Sequence, residues 1–326
     1  MNEDYELTYV VPVYNAKNNL ARLCNSIVKI GIKSSQIVLV DDASKDGSRE
    51  TAKEIQTKIP NVTIIDLDQN CGAGNARNIG FDNSRGKYTI FFDSDDIIHG
   101  DKVQEAIDAM NVDQNIDVAM FSYNYDDMNP GSYKGMSYLD QSIINKILKK
   151  RESRIVSIGM CPSLARFSNY PWNKIIRTDK YRSQNLKFSP TAVNNDMLGH
   201  WQIVTLAEKI LVTRAVICTH VMGSESSNIT NEVGKKRLEM FSALQDVYSF
   251  LEQYPTMRRL LCSQYWDLAL SLAEWYKDRM HPSLEAEYNS KLRQLIMGIN
   301  IEDLLVMKAG GDNVLSKKIT SIIARA

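Results

Sequence analysis

One rhythm constrains the fold more than any other feature. Over the first 122 residues, short apolar runs rich in β-branched residues alternate with segments of helical spacing. Apolar runs at 7–13, 36–40, 62–65, 87–92 and 117–122 read as buried strands. Between them, 18–29, 44–58, 72–82 and 101–110 read as helices, with Pro60 stopping the second. Strand alternating with helix predicts β-α-β units, hence a Rossmann-like, mostly parallel sheet with helices on both faces. In such sheets ligands bind beyond the carboxyl ends of the strands. Tyr14-Asn15, Asp41-Asp42 and Asp93-Ser94-Asp95-Asp96 all fall at those ends and would converge on one edge.

Beyond residue 122 the pattern loosens. Asn129-Pro130-Gly131 marks a turn, 139–150 and 197–208 read as helices, and 212–221 as a strand pair turning near Arg214. From 231 onward the spacing is helical. Leu238, Phe241, Leu244, Val247, Tyr248 and Leu251 form one stripe, and Leu260, Leu261, Tyr265, Leu268, Leu272 and Trp275 a second. The expected organisation is an α/β domain over 1–230 followed by a helical region over 231–326.

Charge narrows the function classes. Lys plus Arg and Asp plus Glu number 39 each, so the chain lacks the basic excess of a nucleic-acid binder. Five scattered cysteines with no C-x-x-C pair speak against a zinc site or a disulfide framework, and fit a reducing, cytoplasmic setting. The polar N-terminus reads as no signal peptide, and no apolar run reaches the roughly 18–20 residues that cross a bilayer. The basic, amphipathic stretch 317–325, with Ile319, Ile322 and Ile323, is an ordinary solvated helix or one lying on the inner face of a membrane. The C-terminal helices also offer faces for a homodimer.

Each polar cluster has a chemical and a structural reading. Three carboxylates within Asp93–Asp96 repel one another beside an apolar strand. A hard divalent cation, Mg2+, Ca2+ or Mn2+, would relieve that; an exposed acidic turn would need none. The segment Asn70-Cys71-Gly72-Ala73-Gly74-Asn75-Ala76-Arg77 has small residues that admit a close anion at a helix start, with Arg77 as a cation. The same glycines also suit tight packing on a sheet. Tyr14 could stack on a base, or simply occupy a turn. Asp42 is an acceptor for a nucleoside or an N-cap for the helix that follows. Asp196, after Asn194-Asn195 and before an apolar helix, is a general base or a cap.

Taken in order, these elements resemble glycosyltransferase family 2, which has the GT-A fold. The resemblance covers about 5–221 and rests on V-V-P-V-Y-N, V-D-D-A-S, G-A-G-N-A-R-N and D-S-D-D. It implies an inverting transfer of a sugar from a nucleotide-sugar donor, commonly a UDP-sugar, to a glycan, lipid-linked or other hydroxyl acceptor in bacterial surface polysaccharide synthesis. Pro12, Val13, Tyr14 and Asp42 would then contact the nucleoside, while Gly74, Asn75 and Arg77 close over the base and diphosphate. Asp93, Ser94 and Asp95 match the D-x-D motif, with Asp95 on the metal and Asp93 on ribose or on the metal through water. Asp196 matches the catalytic base, although Asn195 stands where relatives usually carry Glu. Trp172 and Lys174 match a W-x-K segment near the sugars. His220 stands where some relatives place a metal or diphosphate ligand, and 224–227 resembles a loop that covers the donor. Two other classes compete: a sugar nucleotidyltransferase, which would carry a basic glycine-rich loop after the first strand, and a non-catalytic nucleotide-sugar-binding scaffold.

Overall fold

The structure is a computed structural model and describes residues 4–32, 34–100, 102–127, 135–222 and 234–324. Four strands, β1 (Tyr5–Val13), β2 (Ser35–Asp41), β3 (Val62–Asp66) and β4 (Gly86–Phe91), lie parallel in the order β3-β2-β1-β4. Three crossover helices join them: α1 (Lys17–Ile30), α2 (Ser48–Lys58) and α3 (Gly72–Asp82). Their registers bring the exits of β1, β2 and β4 to one edge, since Val13 pairs with Asp41 and Val10 with Phe91. At Gly80 of α3 a Cβ would stand 2.4 Å from Val10 Cγ1, so this helix can lie flat on the sheet only without a side chain there.

Beyond β4 the sheet becomes mixed. A two-residue strand, β5 (Ile97–Ile98), precedes α4 (Val103–Val112), β6 (Ile116–Asp127), α5 (Tyr138–Leu148) and β7 (Ser153–Val156). Then β8 (Lys174–Arg177) enters antiparallel between β4 and β6, and α6 (Thr178–Ser183) follows. It arrives from a 3-10 turn at Pro171–Asn173 with no crossover helix, and antiparallel pairing needs none. After α7 (Met197–Leu206), β9 (Lys209–Met222) runs parallel to β6.

Two details depart from expectation. The 212–221 region is not a strand pair: β9 is one strand, and its register to β6 slips from Phe121–Thr213 to Ser122–Val216. The residues that looked like a turn, Arg214 and Ala215, form the irregularity. Arg214 there donates its amide to Glu152 O, and its side chain to Lys149 O. And α2 begins at Ser48 rather than 44, because Ser44, Asp46 and Ser48 hold the three amides that open α1. Asn15 N donates to Ser44 Oγ at 3.0 Å, Ala16 N to Ser48 Oγ at 2.8 Å and Lys17 N to Asp46 Oδ2 at 3.1 Å.

Five helices follow: α8 (Met240–Glu252), α9 (Pro255–Lys277), α10 (Glu285–Met297), α11 (Ile301–Ala309) and α12 (Asn313–Ala324). The α8 stripe buries as read. The α9 stripe is turned: Leu261, Cys262, Tyr265, Trp266, Ala269, Ala273 and Tyr276 are buried, while Leu260 and Trp275 are exposed. The small residues that let α9 approach its neighbours carry no strong apolar signal, which explains the error. Asp303 of α11 is fully buried, accepting from Tyr248 and Trp266 and paired with Arg258 at 2.9 Å, which pins α8, α9 and α11 together.

The helices are not a separate body. One continuous apolar core runs from Leu7 of β1 to Ile319 of α12. The expected boundary at 230/231, the turn at 129–131 and the 224–227 loop lie outside the described residues. No helix among the described residues is long and apolar enough to cross a membrane. In α12, Leu315 and Ile319 are buried and Ile322 and Ile323 pack on the core, so these apolar residues face protein.

Candidate active site

The strand exits meet as the rhythm required. Asp42, directly after β2, is buried and both its oxygens are taken: Oδ1 accepts from Cys71 N at 2.7 Å and Oδ2 from Gly72 N at 2.9 Å. It is a cap, but for α3, 30 residues on, not for the helix that follows it. A carboxylate there satisfies two of the amides that a helix start leaves open. Pro12 is half-buried, Val13 is buried with its carbonyl accepting from Asp42 N, and Tyr14 stands half-exposed at the β1 exit. Asn75 turns its amide back to Cys71 O.

Gly74 has a definite reason to lack a side chain. A Cβ on it would sit 2.0 Å from the carbonyl oxygen of Ser189. The small-residue segment is thus pressed against the 188–196 loop. Asn78 reinforces the contact from the next turn of α3, donating to Phe188 O and accepting from Phe188 N.

Arg77 is the junction. Nearly buried, it donates through Nη2 to Asp93 Oδ1 at 2.5 Å and through Nη1 to Asn195 Oδ1 at 2.6 Å. One guanidinium therefore ties the end of β4 to the residue before Asp196, which lies 118 positions beyond Arg77 itself. The sequence offered no signal for Asn195 as a partner, only its oddity as a replacement for Glu.

Asp196 stands at the first turn of α7, yet its side chain makes no capping hydrogen bond. It lies deep among protein atoms, with one side still reaching solvent. Burial pushes its carboxyl above the ordinary carboxylate range; the charges of Arg77 and Lys174 oppose this and that of Asp93 adds to it. A half-shielded carboxylate of raised basicity that does not cap its own helix has the character of a proton acceptor.

The acidic cluster divides its members. Asp93 is bound by Arg77. Asp96, fully shielded, is pushed up by burial against the pull of His220, whose Nδ1 lies 2.7 Å from Asp96 Oδ1. Burial lowers His220, but the bond to Asp96 and the charges of Asp96, Asp93 and Asp95 outweigh it and hold it raised. Asp95 is raised by burial and by Asp93, and its backbone carbonyl accepts from Arg22. Ser94 lies half-buried between them. Among the described residues no group of three or more His, Cys, Asp or Glu side chains is gathered as a metal cage. The set nevertheless fits a hard cation held by one or two carboxylates and a substrate phosphate, because burial and the neighbouring Asp93 both penalise the Asp95 charge that a cation would offset.

Trp172 is fully buried, stacked on Tyr170 with ring centroids 4.6 Å apart and on His220 at 5.9 Å. Its surface is taken up by protein neighbours. Lys174 is also buried; its ammonium donates to Tyr170 O at 2.7 Å and Asn173 Oδ1 at 2.5 Å. Burial brings it down to about 7, against the charges of Asp196 and Asp140. Tyr170, invisible as a site residue in the sequence, joins these parts through its hydroxyl contact with Tyr125 at 2.8 Å.

Residues 8–174 match the family described as Glycosyl transferase family 2. The chain belongs to that family. GlyA, a glycosyltransferase of Streptococcus pneumoniae, is 29% identical over 217 residues, which are 64% of this chain and 29% of GlyA. GgaB, a minor teichoic acid biosynthesis protein of Bacillus subtilis, is 36% identical over 103 residues, 30% of this chain and 11% of GgaB. The chain thus spans under a third of the length of either. The S. aureus TarS 1–349 structure in complex with UDP-GlcNAc superposes with a TM-score of 0.74 at 16% identity, covering 98% of this chain and 92% of that one. The likeness shows a shared GT-A fold that extends through the C-terminal helices. The family match ends at Lys174, so Asp196 and His220 lie beyond it.

Proposed function

We propose that the chain is an inverting glycosyltransferase that moves a sugar from a UDP-sugar to a hydroxyl of a glycan or lipid-linked acceptor in surface polysaccharide assembly. The observation that carries this is the pair of hydrogen bonds that Arg77 donates, one to Asp93 and one to Asn195, which brings the acidic strand end and the Asp196 loop to one place. A donor-binding scaffold would not need a shielded carboxylate held there. The family match, and relatives described as a glycosyltransferase and a teichoic acid biosynthesis protein, support the reaction and setting. TarS with UDP-GlcNAc supports the donor class. Five unpaired cysteines suit a reducing cytoplasmic location, at the inner face of a membrane where a lipid-linked acceptor would lie.

Asp95 would hold Mn2+ or Mg2+, with Asp93 and the His220 ring beside it. When bound, that cation neutralises charge on the departing nucleoside diphosphate. Arg77 adds a fixed positive charge at the same place. Asp93, already held by Arg77, is oriented to meet ribose. Asp196 takes the proton of the acceptor hydroxyl as that oxygen attacks the anomeric carbon from the face opposite the diphosphate. One displacement needs one base and no enzyme nucleophile, and no second carboxylate is required where Asn195 stands.

Calorimetry with UDP-GlcNAc, with and without manganese, tests the donor half. Binding should strengthen with manganese in the native chain and lose that gain in Asp95→Ala. Equal affinity in all four titrations would remove Asp95 from the metal site. UDP release and the anomeric configuration of the product, read by NMR, test transfer and inversion.

A further inference from the structure

The loop that carries Asp196 is gripped from outside the α/β domain. Asp246 of α8 accepts from Ser189 Oγ at 2.7 Å. Glu239, in the 3-10 turn at Lys235–Glu239, accepts from Ala192 N at 2.6 Å. Tyr276 of α9 donates its hydroxyl to Asn194 Oδ1 at 2.8 Å. The last contact is the most consequential. Asn194 has a φ of +54°, in the left-handed region, and stands two residues before Asp196. Next to it, Asn195 is held by Arg77. The tripeptide is therefore fixed from one side by the sheet and from the other by α9.

Two further observations give this grip a purpose. Asp196 makes no capping bond to α7, so its helix does not orient its side chain. And Tyr276 is itself immobilised: it is buried, its ring lies 5.0 Å from the Arg237 guanidinium and 5.0 Å from the Trp275 ring. A hydroxyl on a fixed ring is a rigid anchor for a loop whose backbone is in a sparsely populated conformation.

We infer that Tyr276 is a positioning residue for the proton-accepting carboxylate: through Asn194 it holds the 194–196 loop so that Asp196 faces the acceptor hydroxyl. The inference rests on the reading of Asp196 as the base. The C-terminal helices then belong to the catalytic unit and not only to its support.

The test is a double-mutant cycle on the full chain, with steady-state transfer from UDP-GlcNAc. Tyr276→Phe keeps the ring and removes the bond. Asn194→Gly removes the same bond from the other end while permitting the left-handed φ. Each should lower kcat about 3- to 10-fold, the worth of one buried hydrogen bond, with the donor KM unchanged. The double variant should lose no more than the worse single one. Multiplying losses, an unchanged kcat, or a rise in donor KM that accounts for the loss would each overturn the inference. Should Tyr276→Phe fail to fold, Asn194→Gly alone carries the kcat-against-KM split. Asp196→Asn separates the two levels. If it keeps most of its turnover, the base reading fails. If it is inactive while both bond-removing variants turn over normally, the positioning inference fails alone.

Discussion

The two sides of the site are built by different means. On the donor side, positions follow from the backbone: parallel strands end together, and Asp42 and the Asp93–Asp96 cluster stand where those strands stop. On the base side, no strand end places Asp196. It is held by side chains reaching across the fold, Arg77 from 118 positions away by its bond to Asn195 and Tyr276 from 82 positions away by its bond to Asn194. A site can thus have one half that is nearly implied by secondary structure and another that exists only once tertiary packing is complete.

The largest expected effect separates the sides outright. Asp196→Asn should lower transfer by about 10²- to 10⁴-fold, the usual worth of a general base, while UDP-GlcNAc binds with near-native affinity. A matching loss of donor affinity would mean that the two sides are not separable.

Gly74→Ala attacks the seam between them. The added methyl would stand 2.0 Å from Ser189 O, a backbone atom that cannot swing aside, so either α3 or the base loop must move. We expect a loss of about 1–3 kcal/mol in a urea melt, as for overpacked interiors, together with reduced turnover. Unaltered stability would show that the seam is looser than its geometry.

The most gradual effect is a pH slope. Lys174 is brought down to about 7 in the folded chain from an ordinary 10.5. Between those values the unfolded chain binds a proton that the folded chain lacks, so stability contributed through this residue rises with pH across about 7 to 10.5. The slope is at most about 1.4 kcal/mol per pH unit. In Lys174→Met the rise should vanish, measured as the difference between the two proteins in urea melts at successive pH values. Parallel curves would place the lysine's charge in solvent.

What could be read before folding divides along the same line. The strand exits were legible because apolar runs and the polar residues that follow them are local signals. Asp42 was legible as important but not as the cap of α3, since its partners Cys71 and Gly72 come from a later helix start. Gly74 was legible as small, while its reason, the Ser189 carbonyl, was not. Asn195 looked like a departure from pattern and proved to be the partner of Arg77. Tyr276 sat next to Trp275, which the helical spacing picked instead, because small Ala269 and Ala273 on its own face carry weak apolar signals. The first three of these misses concern contacts between elements distant in sequence, which no periodicity encodes.

The direction of the chain adds a consequence to the grip on the base loop. Glu239, Asp246 and Tyr276 all follow residues 189–196, so a chain growing from its N-terminus presents its donor side first. The parallel strands and α3 can assemble while the last third is still being synthesised. The loop bearing Asp196 gains its outer anchors only when α8 and α9 have arrived. Order of synthesis therefore makes the Asp196 loop the last part of the site to be fixed.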